Sequence, residues 1–201
     1  MKHTRRFVLL SVLALLLIFP TTAFLCGVER WKVKTCKDTT VNRLFVGNDT
    51  SNSLRTPQHT DIETLIGLPR PAGTPGNTRV ATAERKIWVI EAILTDYKQE
   101  LGAHGDTDYH LALEDDDGNT MIAEIPKQSC VTGTTPQPLR DMIHQARVDF
   151  DAHFTVTGSF KHTHTRVRIT GPAMFDFLHG QKGVADNGIE IHPILKIEFI
   201  N

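Results

Sequence analysis

Lys86-Ile87-Trp88-Val89-Ile90-Glu91-Ala92-Ile93-Leu94-Thr95 is apolar at both parities, the pattern of a strand covered on both faces. Further along, the pattern changes to alternation. Tyr109, Leu111 and Leu113 alternate with polar or small residues, as do Met121, Ala123 and Ile125, and Asp116-Asp117-Gly118-Asn119 between them is turn chemistry. These runs predict a long strand followed by a β-hairpin. Pro136 and Pro138 then open a helical pattern with Leu139, Met142, Ile143, Ala146 and Phe150 on one face. Two further strands are predicted over residues 154–160 and 166–170, divided by the polar turn Lys161-His162-Thr163-His164-Thr165, and a last strand over 189–200.

Three strands, a helix and two strands, with one extra strand at the end, is the order of a small, partly open barrel. The sequence therefore predicts a mainly β fold with one helix: an OB-fold-like, five- to six-stranded antiparallel barrel over residues 86–201. An α+β antiparallel sheet with one packed helix has the same order and is the alternative. Residues 24–85 read differently, as an irregular amino-terminal arm. Its stretch 41–60 is rich in Asn, Thr, Ser and Asp, and Leu68-Pro69-Arg70-Pro71-Ala72-Gly73-Thr74-Pro75-Gly76-Asn77 breaks any regular element. Between these, Thr60-Asp61-Ile62-Glu63-Thr64-Leu65-Ile66 offers an N-cap and one or two helical turns.

The amino terminus carries an address. Lys2, Arg5 and Arg6 precede an apolar run over residues 7–19 interrupted only by Ser11, and Pro20, Thr21, Thr22 and Ala23 follow. This is the anatomy of a secretory signal peptide over residues 1–23, with cleavage after Ala23. The expected location is secreted or periplasmic. The chain is tied to a membrane only if the leader is uncleaved or Cys26 is lipidated, and Leu25 is bulky where a lipoprotein signal needs a small residue.

Of the 201 residues, 40% are apolar and 22% charged, which fits one domain of ordinary size with appendages. Loss of Lys2, Arg5 and Arg6 with the leader leaves 19 basic against 23 acidic side chains, net −4. The arm is +3, whereas residues 86–201 hold 10 basic and 17 acidic groups, net −7. Such an acidic body disfavours nucleic acid, whose affinity rests on Lys and Arg releasing counterions. Cys26, Cys36 and Cys130 all follow the leader. In an oxidising compartment the simplest count is one disulfide and one thiol. Cys26–Cys130 is the candidate pair, because its long loop restricts the unfolded chain more than Cys26–Cys36 would. No CxxC or Cys/His zinc spacing is present.

Asp108-Tyr109-His110-Leu111, Met121-Ile122-Ala123-Glu124-Ile125-Pro126, Phe175-Asp176-Phe177-Leu178-His179-Gly180-Gln181 and Gly188-Ile189-Glu190-Ile191-His192-Pro193 resemble segments of a family of uncharacterised exported bacterial proteins. The resemblance covers residues 84–197, together with Glu29-Arg30-Trp31-Lys32-Val33-Lys34-Thr35 in the arm. It implies bacterial export and carries no catalytic residue across.

Three constellations bear on chemistry. The acidic run Glu114-Asp115-Asp116-Asp117-Gly118-Asn119 with Glu124 has partial calcium-loop spacing, but its first position falls on Leu113 and no helices flank it, so a solvated hairpin tip is expected. His162 and His164 share one strand face beside Lys161, Thr163 and Thr165, which reads as an exposed turn. The carboxy-terminal set is richer. Ile189, Ile191, Leu195, Ile197 and Phe199 leave Glu190 and His192 on the opposite face, where Asp176 and His179 could join them, with His110 nearby. No motif asks for a cofactor, though this set could hold a divalent metal. GxSxG, HExxH, GxGxxG and Walker patterns are all absent. The first functional expectation is an exported envelope module that binds a ligand or partner without catalysis. The second is a metal-assisted hydrolase using Asp176, His179, Glu190, His192 and His110, and the third a structural envelope protein.

Overall fold

The computed structural model describes residues 26, 27, 29–38, 56–73, 75–101 and 106–201. The leader and its cleavage point lie outside the described residues. The double-sided apolar run becomes β2 (Ile87–Gln99), which extends four residues beyond the predicted end. A bulge between Leu94 and Asp96 bends this strand, and the bend lets it pair antiparallel with β3 (Tyr109–Glu114) on one side and β5 (Lys161–Phe175) on the other. The hairpin is present as predicted, with β3 paired to β4 (Thr120–Ile125).

The ring is completed by β6 (Ile189–Ile191), which pairs parallel with β4 and antiparallel with β5. Around the ring the order is β2, β3, β4, β6, β5 and back to β2. The fold is mainly β with one long helix. Its single seven-stranded sheet is mixed rather than wholly antiparallel, since β4–β6 and the pairing of β1 (Gln58–His59) with β2 are parallel. β7 (Lys196–Phe199) pairs with β5 outside the ring.

Two strand expectations are corrected. Residues 154–160 form no strand, and β5 instead starts at Lys161 and runs unbroken through the predicted turn. Lys161 and His162 pair with Tyr97 and Asp96, so this polar stretch is a solvated strand end, and Thr163 and Thr165 suit a pleat. The predicted last strand is two strands. Pro193 has no N–H to offer a ladder, and the pairing along β5 is interrupted there, with His192 N–H bonded to the Pro172 carbonyl and Leu195 N–H to the Thr170 carbonyl before β7 begins. A Cβ on Gly171 would stand 2.4 Å from the Pro193 carbonyl oxygen, so glycine is what permits this close approach.

Inside the ring, Leu111, Leu113, Met121, Ala123, Ile125, Val167, Ile169, Ile189 and Ile191 form one core with Leu139, Ile143, Ala146 and Phe150 of the long helix. These four come from the predicted apolar face of that helix (Gln137–His153). Phe150 packs edge-on against Tyr97 with ring centroids 5.4 Å apart, and Phe154 covers Tyr97 from the helix end.

The described residues of the arm are folded onto the ring. Its first helix, α1, is Trp31–Lys34, and its second, α2, is Ile62–Ile66, so the long helix is α3. Asp61 caps α2 by accepting the Thr64 N–H at 2.7 Å. Val33, Cys36, Ile62 and Leu65 are fully buried. Arg79 donates to the carbonyls of Ala173, Val33 and His192, Arg70 to those of Asp176 and Asn187, and Arg30 to that of Phe175. Glu84 meets Arg30 at 2.9 Å and accepts the N–H groups of Val80, Ala81 and Phe175. Burial would raise this carboxyl, but Arg30 and those donors hold it below the usual carboxylate range.

Cys26 and Cys130 are bridged with their Cα atoms 5.4 Å apart, across a separation of 104 residues, and Cys36 is a buried free thiol. The bridge ties the start of the arm to the loop between β4 and α3. Its reduction is expected to lower the unfolding free energy by about 2–5 kcal/mol, read as a lower urea midpoint. An unchanged midpoint would show that side-chain contacts alone hold the arm.

Candidate functional site

Strand register builds the site. His110 on β3 lies directly opposite Glu124 on β4, and Glu190 on β6 stands beside Ile122 of β4. Because alternate residues share a face, Asp108, His110, Glu124, Glu190 and His192 all point away from the apolar interior, in a row across three strands. An outward face normally meets water. Here every one of these side chains is buried.

Two flaps cover the face. The loop between β5 and β6 lies against β3, where Gly183, at φ +82°, comes so close that a Cβ would stand 2.7 Å from that of Ala112. Its Lys182 carbonyl is 2.8 Å from His110 Nε2. The other flap is α1, which inserts Lys34. The ammonium lies 3.4 Å from Asp106 Oδ2, 3.4 Å from Asp176 Oδ2 and 4.0 Å from Glu124 Oε2.

Within this layer the imidazoles and carboxylates interlock. His110 Nδ1 is 3.0 Å from Glu124 Oε1 and 3.6 Å from Glu100 Oε1. His192 Nδ1 is hydrogen-bonded to Glu190 Oε1 at 3.1 Å and lies 3.2 Å from Glu124 Oε2. Its Nε2 faces Asp108 Oδ2 at 3.4 Å, outside hydrogen-bond geometry. Asp108 Oδ1 accepts the Lys127 N–H at 2.9 Å.

Burial opposes every charge here, and pairing decides which survive. Burial pulls Lys34 down, but Glu124, Asp176, Glu190 and Asp106 hold it well above the usual ammonium range. Burial likewise acts against Glu124 as an ion, yet Lys34, His110 and His192 carry it well below the carboxylate range. The facing carboxylates lift His192 well above an ordinary imidazole, and Glu124 does the same for His110 to a smaller extent. Asp108 and Glu190 lack enough positive neighbours. Burial raises each to about 7, with Asp176 adding to the effect on Glu190.

Four of the five sequence-predicted residues are therefore brought together: Asp176, Glu190, His192 and His110. His179 is apart, exposed and 3.1 Å from Glu29. Sequence reasoning missed Lys34, Glu100, Asp106 and Asp108 and assigned Glu124 to the calcium-loop spacing of the hairpin instead. Two of these had a legible signal, because Asp108 and Glu124 fall at the polar positions of the same alternation that located the hairpin. Lys34 had none, since its contacts lie 72 or more residues away. Two groups, Glu100–His110–Glu124 and Asp108–Glu124–His192, place ligand-type atoms within 4.8 Å of one another and could hold a metal.

The other expected constellations are solvated. Asp115 accepts from the N–H groups of Asp117 and Asn119 and from Asn119 Nδ2, which commits its carboxylate to the hairpin turn. His162 and His164 are exposed on β5. A cleft of roughly 250 Å³ opens beside Pro71, Pro75, Val80 and Phe175. The guanidiniums of Arg30 and Arg70 at its edge are already bonded to backbone carbonyls.

Among the described residues no helix is long and apolar enough to cross a membrane. Comparisons with protein-family models, curated proteins and solved structures return no match.

Removing the ammonium should expose its role. Lys34→Met leaves Asp106, Asp176 and Glu124 buried without their cation and is expected to cost about 3–5 kcal/mol, whereas His179→Ala, at the surface, should stay within about 0.5 kcal/mol. Urea denaturation of both variants measures this. Equal, small shifts would show that Lys34 is not the counter-charge.

Proposed function

We propose that this chain is an exported module of the bacterial envelope that binds a ligand or partner and performs no catalysis, with its ring read as OB-fold-like. One observation carries this reading: Asp108, His110, Glu124, Glu190 and His192 lie buried beneath α1 and the β5–β6 loop in the folded, bridged chain. Chemistry at a site needs contact with the reacting atoms within hydrogen-bond reach. Export is supported by the leader, and the Cys26–Cys130 bridge is compatible with an oxidising compartment. The accessible surface offers the cleft beside Val80, a large apolar side chain that is 58% exposed.

The hydrolase reading is favoured by a different observation, the convergence of Asp176, Glu190, His192 and His110 with Lys34, and it requires the arm to leave. Assays of the mature, bridged chain and of its reduced form on chromogenic ester, phosphate and peptide substrates separate the two. The binding module predicts no turnover in either form, together with a discrete cross-linked complex in the native envelope that Val80→Asp removes and Val148→Asp, on α3, leaves intact. Turnover abolished by Glu124→Gln would overturn the proposal in favour of a hydrolase. Absence of any complex would leave the structural envelope protein.

A further inference from the structure

Asp108, Glu124 and His192 each keep one buried polar atom that makes no hydrogen bond within the chain. Each has one polar atom anchored: Asp108 Oδ1 by the Lys127 N–H, Glu124 Oε1 beside His110 Nδ1, and His192 Nδ1 by Glu190. The second atom of each, Asp108 Oδ2, Glu124 Oε2 and His192 Nε2, is buried and makes no hydrogen bond. The three residues are 0%, 3% and 0% exposed. A buried polar atom without a hydrogen bond is costly, and here Asp108 Oδ2 faces His192 Nε2 at 3.4 Å while Glu124 Oε2 lies 3.2 Å from His192 Nδ1 and 4.0 Å from Lys34 Nζ, close without a hydrogen bond.

The distances fit a shared cation. Ligand atoms of the three residues lie within 4.8 Å of one another, and Asp108 Oδ2 is 3.4 Å from His192 Nε2. Two ligands on one tetrahedral ion with bonds of about 2.0 Å stand about 3.3 Å apart. The support behind them fits as well, because a metal-bound imidazole typically donates its other N–H to a carboxylate, as His192 Nδ1 can to Glu190.

Charge points the same way. Glu100, Asp106, Asp108, Glu124, Asp176 and Glu190 surround one lysine and two histidines. With all six ionised, the layer stays negative even if both imidazoles carry protons. A divalent ion with two neutral imidazoles supplies the same positive charge as two imidazolium ions, so the exchange preserves the balance around Lys34.

We propose that Asp108, Glu124 and His192 form an enclosed binding site for one divalent first-row transition ion of the Zn²⁺ or Co²⁺ type, held between β3, β4 and β6 beneath the arm. Two carboxylates and one imidazole suit such an ion, whereas Ca²⁺ takes six to eight oxygens. This inference does not depend on whether the module binds a partner.

The test uses the mature, disulfide-bridged chain after dialysis against chelator. Zn²⁺ is titrated calorimetrically and Co²⁺ by its visible absorption. One equivalent is expected to bind with a Kd of about 1 μM or tighter, and Asp108→Asn and His192→Gln should each weaken it more than about 100-fold. Paired His162→Ala and His164→Ala changes, removing the exposed histidines, should leave it unchanged. Should the buried variants fail to fold, X-ray absorption on the wild-type Zn²⁺ or Co²⁺ form decides, with one imidazole and otherwise oxygen ligands expected. No uptake, uptake lost with His162 and His164, retained affinity in folded Asp108→Asn, or a two-imidazole shell would each overturn the proposal.

Discussion

A buried lysine among carboxylates governs this structure. Lys34 reaches from α1 onto the outer face of β3, β4 and β6 and meets Asp106, Asp176 and Glu124 within 4.0 Å. Dry charge is tolerated only when paired, so the ammonium and the carboxylates require each other's position. The arm cannot leave without stranding acids, and the acids cannot stay buried without the arm. Everything else that holds residues 29–38, 56–73 and 75–85 in place is consistent with that constraint.

The supporting contacts share one chemical character. Arg30, Arg70 and Arg79 use forked donors to satisfy backbone carbonyls at the end of β5, around β6 and in the loop between them, where the ring strands run out of ladder partners. A guanidinium stays charged in any protein environment, which suits it to a permanent staple. The Cys26–Cys130 bridge adds a covalent tie near the start of the described chain, and Thr135 Oγ1 donates to the Thr35 carbonyl. Sequence, fold and site meet here: one alternating pattern sends Leu111, Ala123 and Ile191 into the core and His110, Glu124 and His192 into a sealed polar layer.

Much of the fold was legible because burial inside the ring imposes period-two alternation, and the helix face of Leu139, Ile143, Ala146 and Phe150 imposes its own period. The missed parts have physical reasons. Residues 161–165 read as a turn because their side chains are polar, yet β5 is solvated at that end, and backbone pairing with Tyr97 and Asp96 makes it a strand. Pro193 signalled the break in the last strand, although apolar alternation across residues 189–199 masked it. In the candidate layer, alternation placed Glu190 and His192 correctly opposite the core, but a face that alternation marks as outward is expected to be wet. Only the long-range packing of α1 and the β5–β6 loop makes it dry, and no local pattern around Lys34 or Gly183 encodes that. His179 was drawn into the set by proximity in sequence, while its side chain points to solvent.

Cys36 provides the most direct probe of the central claim that the arm is part of the folded core and keeps the polar layer sealed. It is the single free thiol among the described residues and is fully buried, and burial pushes it up to about 12, so it reacts only when opening exposes it. The decisive measurement is the rate at which a thiol reagent labels Cys36 in the bridged protein as a function of urea, set against global unfolding followed by circular dichroism. If the arm and ring form one cooperative unit, the opening free energy from labelling equals the global value at every urea concentration. Rapid labelling without denaturant, while the ring keeps its strand signal, would contradict the account.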